Sequence, residues 1–92
     1  MAATSILAPG TAEAASSEIT ITTTAVRVCM FDATGPRVSP GSMMFVQVKD
    51  PSGHFFTIDV LTMAIPSYVL DAPGVYRVYR PACANAVGAF TA

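Results

Sequence analysis

"LDAPGVYRVYRP", residues 70–81, is the most patterned stretch of the chain and the one whose reading decides the fold. Leu70 closes a short apolar run. Asp71, Ala72, Pro73 and Gly74 then read as a turn, because proline presets its own φ and glycine tolerates conformations closed to other residues. From Val75 the side chains alternate. Tyr76 and Val78 share one face, while Val75, Arg77 and Tyr79 share the other, which is the period of a strand packed on one side. Pro81 has no N–H to give a ladder and ends the strand. Leu70 and Gly74 bound the corner that this turn makes, and Tyr76 is the first residue of its face after it.

Working outward, the chain from Glu18 onward reads as strands. "EITIT" (18–22) puts Ile19 and Ile21 on one face. "AVRVCMF" (25–31) puts Val26, Val28 and Met30 on one face, with Arg27, Cys29 and Phe31 on the other. The two apolar phases do not match across "TTTA" (22–25), so a tight turn or bulge is expected there. "DATGPRVSPG" (32–41) is a loop by its Gly and Pro content. "MMFVQVK" (43–49) brings Met44, Val46 and Val48 into phase. "DPSG" (50–53) turns it into "HFFTIDVLT" (54–62), where Phe56, Ile58 and Val60 alternate with Phe55, Thr57, Asp59 and Leu61. "SYVL" (67–70), "VYRVYR" (75–80) and "VGAFT" (87–91) complete the set. Strands at roughly 8–12-residue spacing with turn signals between them, and no 3.6-residue period, point to an all-β sandwich or barrel, and the fold expected is a small antiparallel β-sandwich, immunoglobulin-like or jelly-roll-like.

Residues 1–17 are rich in Ala, Ser and Thr. Pro9-Gly10 interrupts the segment, so it is expected as an extended N-terminal arm before a single sandwich domain at 18–92. Ile6 and Leu7 are its large apolar pair, suited either to a peg in a neighbour or to covering the domain's own sheet edge. "AEA" (12–14) resembles a signal-peptidase site, but no Lys or Arg precedes it and the apolar stretch is broken, so no signal peptide is expected.

The 92 residues carry 52% hydrophobic and 12% charged side chains, against roughly 25% charged in ordinary soluble domains. A domain this small has much surface to cover, and part of it must be apolar, which favours contact surfaces. The net charge is −1 with scattered basic residues, so no stripe tracks a nucleic-acid backbone. No apolar run approaches the roughly 18 residues of a membrane span. The two cysteines, Cys29 and Cys83, allow one bridge. Reduced thiols are the expectation without a secretion signal.

No constellation for catalysis emerges. His54 follows a turn, and three acids (Asp32, Asp50, Asp71) begin turns where an Asp caps the backbone. No acidic pair, calcium loop, phosphate cradle or metal-ligand spacing is present, so no cofactor and no metal are expected. Contact residues are the better lead. Arg77 and Tyr79 share the face opposite Tyr76, with Arg80 beside them, and Tyr and Arg are favoured interface anchors. Met43, Phe45, Phe55 and Leu61 lie out of phase with the core set, so the hairpin is apolar on both faces and its second face needs a cover. The contact candidates are thus Ile6, Leu7, Phe55, Arg77, Tyr79 and Arg80.

The corner resembles the tyrosine corner of immunoglobulin-like sandwiches, where a tyrosine after a turn returns its hydroxyl to the turn backbone. The antibody cysteine two residues later is Val78 here, so only the corner is shared. Together "SILAPGTAEAASSEITI" (5–21), "LDAPGVYRVYRP" and "AVGAFT" (86–91) resemble small capsid-decorating structural proteins of tailed bacteriophages. That likeness implies a non-enzymatic virion subunit, assembled in the host cytoplasm, whose partners are the major capsid or another virion protein and its own copies. The alternative is a secreted or surface immunoglobulin-like binding module or filament subunit, for which a Cys29–Cys83 bridge is expected.

Overall fold

The computed structural model describes residues 4–32, 41–82 and 85–91. These form nine strands and no helix: β1 (Thr4–Gly10), β2 (Ala14–Ala15), β3 (Ile19–Ile21), β4 (Val26–Asp32), β5 (Met43–Lys49), β6 (Phe55–Thr62), β7 (Ser67–Leu70), β8 (Gly74–Arg80) and β9 (Val87–Thr91). Two antiparallel sheets face each other. The first runs β1-β9-β4-β7, and the second runs β2-β8-β5-β6 with β3 also on β8. The fold is a small β-sandwich, as the strand spacing predicts.

The inward residues of both sheets make one core. Val28 and Met30 of β4, Met44 and Val46 of β5, Leu70, Tyr76 and Val78 are all buried, joined by Ile21, Leu61, Val87 and Ala89. Each obeys the alternation read from sequence except Leu61. A bulge in the β5–β6 ladder pairs Val46 with Asp59 but Gln47 with Thr57, leaving Ile58 unopposed. One extra residue reverses the phase of the strand. Leu61 therefore faces Met44 in the core, while Ile58 is 43% exposed.

The mismatch across residues 22–25 has a different cause from the expected tight turn or bulge. β3 belongs to the second sheet and β4 to the first. The chain crosses the sandwich there, so each strand sets its own inward phase. The hairpin turn, in contrast, forms as read. Gly53 N donates to the Asp50 carbonyl at 3.0 Å, and Gly53 takes φ 95°, a left-handed conformation suited to glycine.

The boundary at residue 17 does not separate an arm from a domain. The first residues are extended, but β1 pairs with β9 in the first sheet and β2 with β8 in the second. Ile6 and Leu7 are half-buried against the core, covering the domain's own edge. β1 runs so close to β9 that a Cβ on Gly88 would lie 2.6 Å from the Leu7 carbonyl oxygen and 2.8 Å from Pro9 N. The small residues of "VGAFT" make room for that approach. Ser16 then stands in for a ladder group: its Oγ accepts from Val78 N at 2.9 Å, inside the protein.

The tyrosine corner is present. The Tyr76 hydroxyl donates to the Ala72 carbonyl at 2.7 Å, with its ring 6% exposed. A buried phenol needs such an acceptor. Leu70 packs beside it, so the corner is held by one hydrogen bond and one core contact.

Candidate functional site

The outer face of the second sheet gathers three of the contact candidates. Alternation sends Arg77 and Tyr79 of β8 outward, with Phe45, Gln47 and Lys49 of β5 and Phe55 and Thr57 of β6 beside them. Arg77 Cζ lies 4.0 Å from the centre of the Phe55 ring and 5.9 Å from that of Tyr79. Its Nε donates to Gln47 Oε1 at 2.7 Å, and Gln47 Nε2 donates to Thr57 Oγ1 at 3.3 Å. Tyr79 and Phe45 stack with ring centres 6.2 Å apart and planes 15° from parallel.

The rim of this face is charged. Lys49 Nζ stands 3.8 Å from Glu18 and 5.9 Å from the Phe55 ring. The Glu13 carboxylate beside the Tyr79 hydroxyl holds the phenol above its ordinary pKa, with desolvation adding to it. The arrangement is an aromatic and arginine surface whose side chains are already fixed by one another. Fixed Tyr and Arg side chains lose little entropy when a partner covers them, which is what an anchor requires.

Arg80 is elsewhere. It is 5% exposed, and its Nε donates to the Ala12 carbonyl at 2.7 Å. Its Nη1 donates to the Ala8 and Val87 carbonyls at 2.9 and 2.8 Å. The odd–even period already places it on the inward side with Tyr76 and Val78. This guanidinium ties the β1–β2 crossing to the start of β9, so it is a structural cation rather than part of a contact face. Sequence reading also passed over Gln47 and Glu13, which position Arg77 and Tyr79. Gln47 was legible as an outward residue of β5, but Glu13 carries no local signal because its place depends on how β2 docks.

The turn residues form a network that resembles catalytic chemistry only in composition. Ser52 Oγ lies 2.8 Å from Asp50 Oδ1 and 2.9 Å from His54 Nδ1. The Ser52 hydroxyl donates to the carboxylate, so Nδ1–H is left to donate to Oγ. Serine stands between acid and imidazole here, whereas a hydrolytic triad needs the imidazole between them. Asp50 Oδ1 also accepts from Ser52 N at 3.0 Å and His54 N at 2.8 Å. The Ser52 hydroxyl bond, with the backbone bonds behind it, holds the Asp50 carboxyl below its ordinary range and makes it a poor base.

On the first sheet, Phe31 and Phe90 meet at 5.6 Å beside Cys29. Cys29 is a free, half-buried thiol, and burial raises its pKa against the opposing effect of Arg27. Cys83 lies outside the described residues. Among the described residues no group of three or more His, Cys, Asp or Glu could hold a metal ion, and no helix is long and apolar enough to cross a membrane. No protein-family model, no curated protein and no solved structure matches this chain.

Proposed function

We propose that the chain is a non-enzymatic structural subunit of a tailed-bacteriophage particle, a capsid decoration or head-associated protein, that docks through the outer face of its second sheet. The observation that carries the docking is the Arg77–Phe55 stack beside the Tyr79–Phe45 stack. Four anchor-type side chains on three paired strands make a pre-set contact surface. The virion setting rests on the likeness of the two chain ends and the corner strand to capsid-decorating proteins. The Cys29–Cys83 bridge expected of the surface-module alternative involves Cys83, which lies outside the described residues.

Mass spectrometry of purified particles from the phage or prophage that encodes the chain tests this reading. Many copies per particle are expected. Particles without the chain would overturn it.

A further inference from the structure

The exposed large apolar side chains among the described residues are Met43, Phe56, Ile58, Met63, Ile65 and Val69. All but Met43, which shares the outward phase of Phe45 on β5, lie along one flank of the sandwich, where β6 ends the second sheet, β7 ends the first, and residues 63–66 cross between them. The exposed fractions of these five run from 43% to 64%. For side chains of this size that is on the order of 500 Å² of apolar surface, near the upper end of the roughly 300–600 Å² found on monomers. With a polar rim it approaches the roughly 800 Å² per partner of a stable dimer.

The flank has two unlike ends. At one end the crossing forms a tip, with Ile65 64% and Met63 51% exposed and a shallow hollow on its Met43 side. Two bonds fix its shape: Thr62 N donates to the Ile65 carbonyl at 3.1 Å, and Ile65 N donates to Thr62 Oγ1 at 3.4 Å. At the other end the sheets part over a hollow of about 320 Å³ walled by Val48, Ile58, Tyr68, Leu70 and Tyr76. The two ends are separated by most of β6, about 20 Å for six residues of strand.

An apolar projection and an apolar hollow at opposite ends of one flank are self-complementary under a twofold axis through its middle. We infer that this flank binds a second copy of the same chain, each Ile65 tip entering the other's hollow. The tip residues Met63, Ala64, Ile65 and Pro66 are uncharged, and Asp71 is the one charged residue lining the hollow; the charge nearest the axis is Asp59 at mid-β6, whose carboxylate is held by the neighbouring Val60 N at 2.8 Å. Continuation of the sheet is not the means. β6 is bulged at Ile58, Asp59 Oδ1 accepts from Val60 N at 2.8 Å, and β7 is four residues long, all features that blunt an edge. This surface is separate from the aromatic face, and the inference does not depend on the virion reading.

Sedimentation velocity of the full chain from about 1 to 300 µM tests it, with Ile65→Asp and Ile58→Lys as variants whose folding is checked by circular dichroism. The wild type should form dimers at the upper concentrations. Each variant alone should dimerise at least about thirtyfold more weakly, because both symmetric tip–hollow contacts lose an anchor. Mixed together, the two should recover a heterodimer to within about tenfold of wild type, because one altered tip then meets one altered hollow of opposite charge and the other pair is intact. A monomeric wild type, single variants that dimerise as well as wild type, or a mixture no tighter than its components would each overturn the inference.

Discussion

The Arg77 guanidinium lies over the Phe55 ring, Cζ to ring centre 4.0 Å, and so joins β8 to β6 across the top of β5. The same group is tethered by Gln47. Because the stack is on the outer face, its loss should cost the isolated fold little. Arg77→Met is expected to change stability by less than about 1 kcal/mol, measured by urea unfolding, while weakening attachment to particles.

Arg80, three residues later, should behave in the opposite way. Replacing it with Met leaves the Ala8, Ala12 and Val87 carbonyls without their donor. A loss of roughly 2–4 kcal/mol is expected in the same unfolding experiment, from three acceptors left unpaired, that of Val87 buried. The contrast between Arg77→Met and Arg80→Met separates a contact arginine from a structural one.

Removing the Tyr76 hydroxyl tests the corner. Tyr76→Phe keeps the ring in the core and deletes the bond to Ala72. A cost of about 1 kcal/mol is expected, lowering Tm by roughly 4–8 °C for a domain of this size. Tm by calorimetry within a degree of wild type would show that the corner bond contributes nothing.

Gly88→Ala probes the docking of β1. The added Cβ meets Leu7 and Pro9 backbone atoms well inside contact distance, and neither can yield as a flexible side chain would. β1 should shift off β9, so amide exchange in residues 4–10 should accelerate well beyond that in β5.

The Asp50 turn gives a signed pH dependence. Its carboxyl has a depressed pKa in the fold, so its bonds stabilise the protein above the ordinary value of 3.8 and are lost as pH falls through the lower folded value. Asp50→Asn should therefore be less stable than wild type at neutral pH, and the gap should close in acid. A gap that is constant from pH 7 to pH 2 would contradict this assignment.

Much of the fold was legible because alternation and turn chemistry are local. The strand from Gly74 to Arg80, its corner and the Asp50 turn all follow from residues within a few positions of each other. Three features were not local. The reversal that buries Leu61 comes from a bulge no composition marks. The docking of residues 4–15 depends on Arg80 and Gly88, far along the chain from them. Crossing between sheets at residues 22–25 looks the same in sequence as a turn within one. For the contact face, period two placed Arg77, Tyr79 and Phe55 outward, but their stacking needed the β5–β6–β8 register.

The most direct test of the proposed role is the copy number of wild type and of an Arg77→Ser, Tyr79→Ser double variant on purified particles, measured by quantitative mass spectrometry. Many copies of wild type and loss of most of the folded variant are expected. A wild type absent from particles, or a variant retained at the wild-type level, would contradict the role or the face assigned to it.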